Sequence, residues 1–97
     1  MNTTNSFVID EAVLTKIPRL PGVYQFADIN GKVIYIGKAK DLRSRISQYV
    51  NLTDSRPMVP VLMENAATVS VIITPDEEEA LILESSLIRK KQPQFNI

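Results

Sequence analysis

Asn30-Gly31, set between two runs of strand-forming residues, constrains this chain more than any other feature. A tight type I′ turn needs positive φ at both central residues, and Asn-Gly is the pair that supplies it most readily. Val23 to Ala27 reads as the outgoing strand, with Tyr24 and Phe26 on one side and Val23, Gln25 and Ala27 on the other. Lys32 to Ile36 reads as the return strand, and Gly37 is expected to end it. The chain therefore begins its regular structure as an antiparallel hairpin.

The remaining elements follow from periodicity and punctuation. Leu42, Ile46, Tyr49 and Val50 fall at helical spacing, so Asp41 to about Val50 is predicted as a helix, with Asp41 suited to cap it. Asn51 to Pro57 is a polar loop, and Val59 to Ala67 a second helix entered through Pro57 and Pro60. The β-branched run Val69 to Thr74 predicts a third strand. Thr74-Pro75-Asp76-Glu77 is a helix start, in which Thr74 can cap and Glu77 completes a capping box. Pro93 stops that last helix. The order β-β-α-α-β-α predicts an α+β domain with a small antiparallel three-stranded sheet flanked by helices.

The 97 residues suit one compact domain. Residues 18–97 are expected to form it, with 1–17 a partly ordered amino-terminal extension rich in Asn, Thr and Ser. Met1 to Asp10 lacks the basic and apolar regions of a secretory signal, and no run of about 18 apolar residues offers a membrane span.

The chain contains neither Cys nor His. That removes disulfides, thiolate zinc sites, Cys nucleophiles and His-based triads. A metal here must be a hard cation held by oxygen, such as Mg²⁺ or Mn²⁺. A general base must be Tyr, Lys, a carboxylate or a positioned water. The absence of Cys is compatible with a cytoplasmic setting. Net charge is zero, yet Lys32, Lys38, Lys40, Arg43 and Arg45 stand against Asp41 alone between positions 32 and 45. A basic face of that kind can meet phosphates on a neutral molecule; it can equally be an ordinary solvated helix face.

Several residues sit where simple patterning would not put them. On a helical wheel of about 100° per residue, with Ala80 at the origin, Leu83 and Leu87 fall on one side and Ile88 and Leu81 on the other. Glu84 falls at about 40°, inside that apolar arc. A carboxylate so placed is costly unless it is paired or bound to metal, and spacing leaves both readings open. Arg45 lies four residues before Tyr49 and can fork onto a phosphate or simply pack on the ring. Arg43 flanks the other edge of the same helix, and spacing does not choose between the two arginines. Tyr24 and Tyr35 on neighbouring strands are core residues or the walls of a polar pocket beside Gly37 and Lys38.

These residues converge on a known pattern. Gly22-Val23-Tyr24 followed, eleven residues on from Tyr24, by Tyr35-Ile36-Gly37 resembles the signature of the GIY-YIG nucleases. The fuller spellings Leu20-Pro21-Gly22-Val23-Tyr24 and Tyr35-Ile36-Gly37-Lys38-Ala39-Lys40-Asp41-Leu42 are similar to the UvrC-like branch of that family. So are Glu79-Ala80-Leu81, Leu83-Glu84, Leu87-Ile88 and the closing Pro93-Gln94-Phe95-Asn96. Val23 replaces the Ile of the first tripeptide, Phe95 stands where many members have Tyr, and Gln92 where an aromatic is frequent.

The resemblance implies a metal-dependent DNA endonuclease that makes the 3′-side incision in bacterial nucleotide excision repair. It implies that Glu84 ligates a single Mg²⁺ or Mn²⁺, that Arg45 holds the scissile phosphate, and that Tyr35 activates water with Tyr24 beside it. Lys38 and Tyr49 match further catalytic positions, and Lys40, Arg43 and Asn96 are expected to bind substrate. The implied partners are damaged double-stranded DNA and UvrB, the latter through parts that UvrC-like proteins carry beyond this domain, so the chain is expected to be an excised piece. A GIY-YIG domain from an exonuclease-fused, restriction or homing enzyme is an alternative context, and a non-catalytic nucleic-acid-binding module an alternative class.

Overall fold

The computed structural model describes residues 4–96. One antiparallel sheet forms the middle of the molecule, built from β1 (Thr4–Val8), β2 (Gly22–Ala27), β3 (Val33–Ala39) and β4 (Thr68–Ile73) in the order β1-β4-β2-β3. Three helices accompany it: α1 (Leu42–Val50), α2 (Met58–Asn65) and α3 (Glu77–Lys91). A short 3-10 turn at Val13–Lys16 lies between β1 and β2, and another at Gln94–Asn96 follows α3.

The sheet has four strands rather than the expected three. The added strand comes from the leading segment, where a loosely ordered stretch is predicted. Its polar residues hide a period-two pattern, because Asn5 and Phe7 face Val71 and Val69 across the ladder. Pairing with β4 supplies the backbone hydrogen bonds that composition alone does not reveal. Positions 1–3 of the expected extension lie outside the described residues.

The two faces of the sheet carry different cores. Tyr24, Phe26, Tyr35, Val69 and Val71 pack with Leu42, Ile46 and Tyr49 of α1 and Val59 and Leu62 of α2. Val23 and Ile36 pack on the other face against Ala80, with Leu83, Leu87 and Ile88 of α3 closing over them. The period-two split of Tyr24 and Phe26 from Val23 is thus realised. Leu81 stays exposed, so the sheet-facing arc of α3 is narrower than the wheel suggests. Lys91 Nζ donates to the buried Gln25 Oε1 at 2.8 Å and ties the end of α3 back to β2.

Local chemistry corrects three expectations. The hairpin turn is not type I′: Gly31 has φ +82°, but Asn30 is not among the residues with positive φ. Asp28 builds a wider turn instead, its Oδ1 accepting from the Asn30 and Lys32 amides at 2.9 and 3.0 Å. Gly37 does not end β3, which runs on to Ala39. Nor does Thr74 cap α3. Asp76 does, its Oδ1 accepting from the Glu79 amide at 2.8 Å, while the buried Thr74 hydroxyl donates to Asp76 O. At the other end Gln92 takes the left-handed conformation before Pro93, and its amide donates to Ile88 O.

Replacing Asp76 by Ala therefore exposes an unsatisfied helix end. The expected loss is about 1 kcal/mol of unfolding free energy, read from urea melts. A loss below about 0.3 kcal/mol would show that the three glutamates of the first turn suffice without the cap.

Candidate active site

Three phenols meet on the α1 side of the sheet. Tyr24 comes from β2, Tyr35 from β3 and Tyr49 from α1, with ring centroids 5.5 to 6.3 Å apart. The Tyr24 and Tyr49 hydroxyls share a hydrogen bond of 2.8 Å. Gly37 makes this possible. It lies opposite Tyr24 in the β2–β3 register, and a Cβ there would stand 2.3 Å from the Tyr24 hydroxyl. The second glycine of the signature is thus the space into which the first tyrosine fits.

Exposure separates the three rings. Tyr24 and Tyr49 are 1% and 0% accessible, whereas Tyr35 is 9% accessible and lies nearest solvent. Burial pushes the Tyr24 hydroxyl far above the ordinary phenol range, and the neighbouring phenols add to it. Burial also raises Tyr49. Burial thus disfavours the phenolate form at both positions.

Two arginines close over the phenols. Arg45 on α1 donates from Nη2 to the Tyr49 hydroxyl at 3.4 Å and from Nη1 to Asp54 at 3.0 Å and to Gln48. Arg56, from the α1–α2 loop, donates from Nη1 to the Tyr35 hydroxyl at 3.2 Å and from Nη2 to the Tyr49 hydroxyl. Its Nε reaches Asp54 Oδ1 at 3.0 Å. Asp54 is therefore shared by both guanidinium groups. The side chain and backbone amide of Arg56 hold its carboxyl down at about 2, and Asp54 in turn keeps Arg56 firmly protonated.

Neither Asp54 nor Arg56 is a candidate in the sequence, where both fall in a polar loop. The signal available was the pair Asp54-x-Arg56 followed by Pro57. An Asp two residues ahead of an Arg forms an Asx turn, here through the Arg56 amide and Asp54 Oδ1 at 3.0 Å.

The remaining candidates divide. Lys38 leaves β3 on the α3 side and pairs with Glu77 at 3.6 Å. An open cleft of about 340 Å³ runs along the edge strand from Lys38 and Lys40 past Ser44 to Arg45, with Glu77 on its rim. Arg43 points elsewhere. Its Nε donates to Ile17 O at 2.8 Å and pins α1 to the segment before β2, so the structure selects Arg45 over Arg43 for the cleft. Asn96 does not join the phenols. Its carboxamide accepts from the Ile36 amide and donates to the Ile36 carbonyl, both at 2.8 Å, completing the outer edge of β3.

Glu84 lies half-buried on the sheet-facing side of α3. Burial raises its carboxyl above the ordinary range, opposed by the nearby Lys38 ammonium and amide. No salt bridge to it occurs among the described residues: Lys38 is paired with Glu77 and Arg45 with Asp54. Lys38 remains near enough to act on the Glu84 charge, without forming a direct salt bridge to it. Among the described residues no three His, Cys, Asp or Glu side chains group to hold a metal. A single carboxylate without a salt bridge suits Mg²⁺, which keeps several waters and takes one or two protein carboxylates beside substrate phosphate.

A hairpin bearing paired tyrosines, an arginine on the following helix and an inward glutamate on the last helix define a GIY-YIG domain. Residues 20–97 match the UvrC-like GIY-YIG domain, and the chain belongs to that family. It is 49% identical over 80 residues to the UvrABC system protein C of Syntrophus aciditrophicus, covering 82% of this chain and 13% of that protein. The UvrABC system protein C of Methanospirillum hungatei is 46% identical over 84 residues, 87% of this chain and 16% of that protein. The chain thus spans a small part of the curated relatives it matches. The crystal structure of the GIY-YIG N-terminal endonuclease domain of UvrC from Thermotoga maritima, bound to its catalytic magnesium, is 38% identical. It superimposes with a TM-score of 0.79 over 92% of this chain and 100% of that one. Further structures of that domain carry Tyr→Phe or Asn→Ala substitutions and also hold the cation.

Two outcomes follow for the cluster. Gly37→Ala forces the Tyr24 ring from its place and lowers stability by about 1 to 3 kcal/mol in urea melts; an unchanged midpoint would show the rings can shift freely. Asp54 has a folded pKa depressed to about 2, below the ordinary carboxylate value of about 3.9. Its contribution to stability is therefore complete above about pH 4 and lost as pH falls toward about 2. Asp54→Asn flattens the pH dependence of unfolding in that window, and an identical curve for the variant would assign the acid sensitivity elsewhere.

Proposed function

We propose that this chain is a divalent-metal-dependent DNA endonuclease domain that hydrolyses a phosphodiester bond. Its place is the 3′-side incision of nucleotide excision repair, within a UvrC-type protein that works with UvrB through segments outside this chain. The observation that carries the reading is Glu84: a half-buried carboxylate with no salt-bridge partner among the described residues, beside the strand that also carries Tyr35 and Lys38. Membership of the UvrC-like GIY-YIG family supports the same chemistry. Among the described residues no helix is long and apolar enough to cross a membrane.

The chain's own groups divide the work. Glu84 holds Mg²⁺ or Mn²⁺, and the bound ion supplies Lewis acidity at the phosphate and the leaving oxygen. Arg45, at the end of the cleft, offsets charge that develops on the phosphoryl oxygens. Tyr35 is the phenol nearest solvent, already hydrogen-bonded to Arg56, and orients the attacking water. Tyr24 and Tyr49 remain neutral and hold the other two groups in register. Lys38 and Lys40 line the path of the DNA backbone.

Nicking of duplex DNA in Mg²⁺ tests this. Glu84→Gln keeps the shape and removes the charge, so nicking and Mn²⁺ binding are both lost; near wild-type nicking would refute the metal role. Arg45→Ala lowers the nicking rate by about 10² to 10³, and a fall of less than tenfold would remove Arg45 from the reaction.

A further inference from the structure

Arg56 is an arginine in a connecting loop, yet each of its three guanidinium nitrogens is engaged. Nε donates to Asp54, Nη1 to Tyr35, and Nη2 to Tyr49 and, at 3.4 Å, to Asp54. Pro57 follows it and restricts its backbone. Its charge stands 5.9 and 5.5 Å from the Tyr35 and Tyr49 ring centres, while that of Arg45 stands 5.0 Å from Tyr49. Two like charges are thus gathered on one phenol, and what brings them together is Asp54 between them.

The burial is graded in a telling way. The Asp54 side chain is 9% accessible, whereas Arg45 and Arg56 are 31% and 41% accessible. The two guanidinium groups cover the carboxylate and remain more open to water themselves. One negative charge against two leaves the pair with a surplus of +1, and its Arg45 member lines the cleft with Lys38 and Lys40 and with the acids Asp41 and Glu77. A guanidinium has five N–H donors. Of these, Arg45 spends two at Nη1 and one at Nη2, and leaves Nε and one Nη2 hydrogen over. Arg56 keeps one Nη1 hydrogen.

We propose that Arg56 is a second guanidinium for the DNA phosphate in this site, and that Asp54 is the positioning residue that sets the spacing and orientation of the Arg45–Arg56 pair. The ligand class is a phosphodiester oxygen of duplex DNA. The inference rests on the nuclease reading above and adds to it a contact from the α1–α2 loop. A phosphate meeting Arg45 meets a preassembled pair, held by a carboxylate too deep to compete for the outward donors. Arg56 also places a charge directly on the Tyr35 hydroxyl, so the phosphate and the water-orienting phenol share one anchor.

The test uses the whole chain, the variants Arg56→Gln, Arg56→Lys and Asp54→Asn, and two readings of each. The first is affinity for a duplex oligonucleotide across a salt series in Ca²⁺; the second is single-turnover nicking in Mn²⁺, with thermal melts to confirm folding. Arg56→Gln is expected to lower the slope of log affinity against log salt by about 0.9 and to slow nicking by about 10²-fold. Arg56→Lys keeps the slope but restores only part of the rate, because a point charge replaces a planar fork. Asp54→Asn leaves the slope in place and slows nicking, as the pair loses its alignment. A folded Arg56→Gln with wild-type slope and rate overturns the proposal. If Arg56→Gln does not fold, Arg56→Lys decides: a tenfold or greater loss of rate at constant slope supports it, and equal rates overturn it. An inactive wild-type chain would sink the nuclease reading alone, since the salt slope still tests Arg56 as a phosphate contact.

Discussion

The hydrogen bond between the buried hydroxyls of Tyr24 and Tyr49 is the constraint on which the rest of the site depends. A phenol taken out of water needs a partner, because an unsatisfied buried hydroxyl costs about 1 to 3 kcal/mol. Here each tyrosine supplies the other. The bond joins β2 to α1, and so fixes the helix that carries Arg45 against the strand pair that carries Tyr35. Gly37 is the other half of the same constraint, since any side chain at that point would occupy the space of the Tyr24 hydroxyl. The signature tripeptides are best understood as one packing unit, a ring from the first set into the missing side chain of the second.

The electrostatics build outward from that unit. A chain with no net charge concentrates cations on one rim of its sheet and acids in the first turn of α3. The acids serve the helix end, where the macrodipole favours them. The cations are organised by a single deep carboxylate, Asp54, which keeps the arginines ordered without cancelling them. Glu84, on the other side of β3, stands apart from these pairs. Its burial disfavours the charged form, and the nearby Lys38 ammonium and amide oppose that effect.

Much of this was legible in the residues. The hairpin, the three helices, the strand after α2 and the inward Glu84 all follow from periodicity, and Asp41 caps α1 as its position suggests. What was not legible shares one cause: each depends on a partner far away in sequence. β1 looks like a polar lead-in until β4 is there to pair with it. Arg43 and Arg45 are equivalent on the helix surface, and only the approach of Ile17 to one and Asp54 to the other separates them. The bond of the Asn96 carboxamide to Ile36, sixty positions away, is equally invisible in the sequence. Arg56 sits in a loop whose composition says only that it is polar. The turn at Asn30 and the cap of α3 failed differently. In each a nearby aspartate, Asp28 or Asp76, outcompeted the residue that statistics favour.

The position of β1 has a kinetic corollary. Its five residues pair with a strand sixty or more positions later, whereas β2 and β3 are separated only by a short turn. Loop closure of that length is slower than hairpin formation. As the chain grows from its amino end, the first strand made is the last to find its neighbour. The three tyrosines and the two arginines over them come from segments between β2 and the start of α2, so that cluster can gather while the opposite edge of the sheet is still open.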